Sequence, residues 1–130
     1  MSALPNYAVA VAMVLTLCAP SLGAALPVEV QTALSSLLRA AEVRDLKTLR
    51  ERMIEKFTWS FGGDKDADQA VEEWAKDPRY LRELQGVLRG ECQLRDATHV
   101  ECPGESALGF RAGLVIVESE WKLEYFVAGD

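Results

Sequence analysis

The chain has 130 residues, 49% of them hydrophobic and 26% charged, which is the length of one domain with enough apolar surface to fold. Its formal net charge of −6 speaks against a nucleic-acid backbone or an anionic membrane as partner, since both need clustered Lys and Arg.

The first charged side chain is Glu29. Before it lies an apolar run, Ala8 to Cys18, followed by Ala19-Pro20-Ser21-Leu22-Gly23-Ala24-Ala25. A run of about eleven residues is too short to cross a bilayer as a helix. With a helix breaker and small residues behind it, the run reads as a signal peptide over residues 1–25. Gly23 and Ala25 fit the small positions before a cleavage point, and cleavage after Gly23 or Ala24 is an alternative. The stretch before the run carries no Lys or Arg, so two other readings stay open. One is an uncleaved anchor. The other is lipidation at Cys18, where Leu15-Thr16-Leu17-Cys18 has Leu17 in place of the usual small residue. Cleavage predicts a periplasmic or secreted protein with no stable membrane insertion and a single α+β domain over residues 26–130.

Val30, Leu34, Leu37, Leu38 and Ala41 recur at helical spacing and predict a helix over residues 27–42. Asp45 can cap a second helix that buries Leu46, Leu49, Met53 and Ile54; no Gly or Pro separates the two, so one bent helix is the alternative. Phe57-Thr58-Trp59-Ser60-Phe61 alternates as a short strand, and Gly62-Gly63 ends it. Asp64 or Asp66 then caps a third helix with Ala67, Ala70, Val71 and Trp74 on one side. Asp77-Pro78 starts a fourth, which buries Leu81, Leu84, Val87 and Leu88 and ends at Gly90 as its left-handed stop.

Cleavage would leave two cysteines, Cys92 and Cys102. If Asp96 to Thr98 is a three-residue loop, Leu94 faces Val100 and Cys92 faces Cys102, within disulfide reach. Phe110 to Val117 and Trp121 to Val127 form a longer hairpin. A three-residue loop at Glu118 to Glu120 puts Val115, Val117, Trp121, Leu123, Tyr125 and Val127 on one face, with Tyr125 over Gly113; a two-residue turn would shift that register by one. Helices first and antiparallel strands last make an α+β fold, with N-terminal helices packed on a small antiparallel sheet built mainly from C-terminal hairpins.

Site candidates are few. Asp64, Asp66 and Asp68 begin like a calcium loop, but Gln69 and Ala75 occupy positions that need Gly and Glu, so capping explains the acids better. His99 is the only histidine and has no free thiol or serine nucleophile beside it; with the two cysteines it falls short of a zinc set. No cofactor motif is found. Trp59, Trp74, Trp121, Tyr125 and Phe126 could line a ligand pocket, but aromatics at helical or alternating spacing read as core, the notable exception being Phe126, on a face where polar residues alternate.

Ser60-Phe61-Gly62-Gly63-Asp64, Trp74 and Leu88-Arg89-Gly90 resemble an uncharacterised family of bacterial exported proteins, in which a similar domain can precede a Src-homology-type barrel. That resemblance implies export and supplies no activity. The element order is also similar to the cone-shaped fold of nuclear transport factor and ketosteroid isomerase. Two functions follow as expectations. One is a non-catalytic envelope module that binds a protein, a peptide or a cell-wall component. The other is a small-molecule pocket protein or enzyme, with Asp64, Tyr80, Glu124 and Tyr125 lining an enclosed cavity.

Overall fold

The computed structural model describes residues 25–59, 65–103 and 109–128. The order is α1 (Val28–Glu42), α2 (Leu46–Glu51), β1 (Met53–Thr58), α3 (Ala67–Lys76), α4 (Pro78–Arg89), β2 (Gln93–Asp96), β3 (His99–Cys102), β4 (Phe110–Val117) and β5 (Glu120–Ala128). The five strands form one sheet in the order β1-β5-β4-β3-β2, with the helices on one face. The protein is α+β. The sheet is mixed, because β1 runs parallel to β5 while every other pair is antiparallel.

The helices follow their apolar spacing and their caps. Val30, Leu37 and Ala41 of α1 are buried, as are Leu81, Leu84, Val87 and Leu88 of α4. Three aspartates cap as the sequence suggests: Asp45 accepts from the Thr48 N–H, Asp66 from the Gln69 N–H, and Asp77 from the Arg79 N–H. The first two helices are separate. Arg44 adopts a left-handed φ of 57°, and the Asp45 and Arg44 N–H groups bond back to Ala40 and Ala41 carbonyls. That double bond pattern is a helix stop in which glycine is the usual occupant.

Three expectations need correction. The first strand begins at Met53, so Met53 and Ile54 belong to β1 and not to α2. Their spacing continues the helical period, but the Arg52 carbonyl accepts from the Leu123 N–H at 2.7 Å and starts the parallel pairing with β5. Second, Gly90 closes α4 with φ −72° and ψ −176°, an extended conformation and not a left-handed one.

The third correction concerns register. The β4–β5 turn has two residues, Glu118 and Ser119, both with positive φ, so Val117 pairs with Glu120 and Leu114 with Leu123. A bulge then makes Glu124 an extra residue and restores Gly113 opposite Tyr125. The helix-facing side therefore carries Ala112, Leu114, Ile116, Trp121, Leu123 and Phe126, while Val115, Val117 and Tyr125 turn away. The β2–β3 hairpin behaves alike: Leu94 pairs with Val100 as expected, but the turn is Ala97-Thr98, Asp96 pairs with His99 and Arg95 is the extra residue.

Between helices and sheet, aromatic rings fill the interior. Phe57 meets Trp74 edge-on at 5.6 Å, Trp74 meets Phe126 at 5.8 Å, and Phe126 stacks on Phe110 at 5.1 Å. All the buried residues among those described are apolar. Cys92 and Cys102 form a disulfide, with Cα atoms 4.3 Å apart.

Candidate functional site

The two bulges decide which side chains share the sheet face turned away from the helices. A bulge sets two consecutive residues on the same side of a strand. On β5 these are Glu124 and Tyr125; on β2 they are Arg95 and Asp96. Opposite them on β3 and β4 stand His99, Glu101, Arg111 and Gly113, whose neighbours Val100, Ala112 and Leu114 point into the core. One row crosses the whole sheet: Thr58, Tyr125, Gly113, Glu101 and Gln93 are successive partners.

Tyr125 lies on that row. A Cβ placed on Gly113 would overlap its ring, so the phenol covers the bare backbone of a glycine. Burial, and then the charge of Glu101, raises the Tyr125 phenol above its ordinary value, with Arg111 and Arg95 pulling the other way. His99 joins the two bulges. Its Nδ1 is 3.0 Å from Asp96 Oδ1, and its Nε2 is 3.7 Å from Glu124 Oε2. The Thr98 N–H, and then His99, hold the Asp96 carboxyl well below the usual carboxylate range. This face offers carboxylates, guanidinium groups, an imidazole and a half-buried phenol.

The three sequence candidates among the described residues do not line one common groove. Glu124 and Tyr125 are neighbours on the outer face. Tyr80 lies beyond the helix-facing side, where it lines an open groove of about 330 Å³ with Asp77, Arg79, Glu83 and Phe110. There Arg79 donates to both oxygens of Asp77 and lowers its carboxyl to about 2. Asp64 lies outside the described residues. Of the other acids of its stretch, Asp66 caps α3 and Asp68 accepts from Arg50 Nε at 2.6 Å.

Sequence reasoning passed over a larger groove of about 560 Å³, where the start of α1, the end of α2 and the β4–β5 turn meet. Glu29, Arg52, Glu120, Trp121 and Lys122 line it, and they come from three distant segments with no local signal. The outer-face cluster was hidden for a different reason: period-two alternation assigns Glu124 and Tyr125 to opposite faces, and only the bulge unites them. The Trp59 indole N–H, just past β1, is buried without an acceptor among the described residues. Among those residues no group of His, Cys, Asp and Glu is placed to hold a metal ion, and no helix is long and apolar enough to cross a membrane.

Comparison with known proteins agrees with this architecture. No family model and no curated protein matches the chain. Among solved structures it is similar to an NTF2-like protein of unknown function from Shewanella oneidensis, at 13% identity over 78% of this chain and 97% of that one, with a TM-score of 0.52. It is also similar to a protein of unknown function from Mycobacterium tuberculosis, at 14% identity over 77% of this chain and 68% of that one, with a TM-score of 0.47. The first likeness is one of fold alone, and the fold is the NTF2-like cone: helices laid on one face of a mixed sheet.

Proposed function

We propose that this chain is an exported, non-catalytic binding module of the periplasm or the extracellular space, and that it binds through the outer face of its sheet. The observation that carries the reading is the pair of bulges, which brings Arg95, Asp96, His99, Glu124 and Tyr125 onto one accessible face. The ring series Phe57, Trp74, Phe126 and Phe110 fills the interior between helices and sheet, which supports a site on the outside of the sheet. The apolar leader supports export, and so does the disulfide, since such bonds persist in oxidising compartments. The resemblance of the Ser60–Asp64 stretch to a family of exported proteins points the same way.

The test is to express the full chain in a bacterial host, fractionate the cells, and measure the N-terminal mass and the thiol content. The reading expects a start between residues 24 and 26, recovery from the envelope or medium, and no titratable thiol at Cys92 or Cys102. A chain that starts at Met1, stays in the cytosol and has both thiols free would refute it.

A second reading, a small-molecule pocket protein or enzyme, is favoured by one feature: the groove where Tyr80 meets Phe110. It predicts that a ligand perturbs Tyr80 and leaves Tyr125 untouched.

A further inference from the structure

The Cys92–Cys102 bond spans the border between the packed part of the sheet and its bare edge. β2 is an outermost strand with only β3 beside it, and each of its residues is exposed. Of residues 90–97, only Cys92 packs against the core. β3 is different: Val100 and Cys102 are buried, and β4 pairs with it from the other side. The closed end of the hairpin is tied without the bond. Asp96 Oδ1 accepts from the Thr98 N–H and hydroxyl and lies 3.0 Å from His99 Nδ1. The Ile116 N–H donates to the Thr98 carbonyl at 3.0 Å, which fastens the turn to β4. The turn is therefore a fixed hinge, and the open end of β2 depends on the disulfide. The two sulfurs also differ in access. Cys102 has no exposed surface and Cys92 is partly exposed, so a thiolate reaches the bond from the Cys92 side.

We propose that the disulfide is a redox clasp: a dithiol reductant opens it, β2 swings off the sheet about the Ala97-Thr98 turn, and the edge of β3 is uncovered while the helices and the other strands stay folded. One thiolate of the reductant attacks Cys92 Sγ; the S–S bond breaks, and its electron pair passes to Cys102 Sγ, which takes a proton. The second thiolate of the reductant attacks the mixed disulfide and releases Cys92 Sγ, which is protonated in turn. The cysteine pair is reduced to two thiols and the dithiol is oxidised to a disulfide. Cys102 stays in the core as a neutral thiol, which packs as a small apolar group, so the reduced form buries no charge. β2 passes into solvent with little loss of packing, since its residues are already exposed. β3 then presents backbone N–H and C=O groups along its outer side, an edge on which another strand can pair. The clasp goes beyond the binding reading and holds whether or not the outer face has a ligand.

The test takes the protein isolated with its disulfide intact and reads amide exchange by NMR before and after full reduction with dithiothreitol. Exchange should rise by about tenfold or more over Gln93 to Arg95 and stay within about twofold at Leu114, Ile116 and Leu123 and in α1 and α4. Removing the dithiol and adding oxidised glutathione should restore the first pattern. Reduced glutathione, a monothiol, should leave its adduct on Cys92 and not on Cys102, as read by peptide mapping. Unchanged exchange over β2 in the reduced protein would mean that the strand needs no clasp. A rise spread through α1, α4, β4 and β5 would make the bond a staple of the whole fold. Either result overturns the proposal, and so does an adduct on Cys102 or an opening that reoxidation does not reverse.

Discussion

The molecule holds two hairpins that share a plan and differ in what secures them. Each has a two-residue turn, one bulge, and a strand pair in the same sheet. In β4–β5 the residues facing the helices, such as Leu114, Leu123 and Phe126, are buried, so burial of apolar area secures the pair. In β2–β3 every residue of β2 is exposed, including Leu94 at 40%. Packing does little for that strand, and the Cys92–Cys102 bond takes its place. The turns differ as well. Asp96 gathers the Thr98 N–H, the Thr98 hydroxyl and His99 around the first, whereas Glu118 and Ser119 hold the second in left-handed conformations that side chains resist.

Substitutions that exchange these supports should separate the hairpins. Leu123→Ala should cost about 2–5 kcal/mol in denaturant unfolding, while Leu94→Ala stays within about 0.5 kcal/mol; equal costs would erase the distinction. Replacing Cys92 and Cys102 by Ser should cost roughly 3 kcal/mol at most, with amide exchange rising first at Gln93 to Asp96. A rise spread evenly over β4 and β5 would contradict the local role of the bond. Gly113→Ala should destabilise by roughly 1 kcal/mol and displace the Tyr125 ring, an effect that Tyr125→Ala in the same chain relieves.

Smaller effects probe the turns. Replacing Glu118-Ser119 by Asn-Gly should stabilise by about 0.5 kcal/mol, because those residues accept positive φ at both positions. Acid acts on the first turn. The Asp96 carboxyl is depressed in the folded state, so its contribution is present above the ordinary aspartate value. It fades as pH falls below about 4. Amide exchange at Thr98 and His99 should rise in that window. At the alkaline end, an ultraviolet titration should show one phenol ionising later than a free tyrosine, and Tyr125→Phe should remove it.

What could be read in advance was what depends on near neighbours in the chain. The caps at Asp45, Asp66 and Asp77, the faces of α1 and α4, and the Cys92–Cys102 pairing all follow from residues within a few positions of one another. Features set by distant strands were illegible. Met53 and Ile54 keep a helical period and are drawn into β1 by Leu123, which lies 70 positions on. No local rule marks Arg95 or Glu124 as a bulge residue, and the candidate site depends on both. Arg44 performs a glycine's task without being one, so only the Asp45 cap marked the break between α1 and α2, and one bent helix stayed open as an alternative.

The parallel alignment of β1 with β5 joins the first described strand to the last. A nascent polypeptide cannot complete its sheet until residues near Leu123 have emerged, because the neighbour of β1 does not exist before then. Contacts of such long span slow folding. The sheet of the described residues therefore closes in one late step, in which β1 and β4 both gain β5 as their shared neighbour.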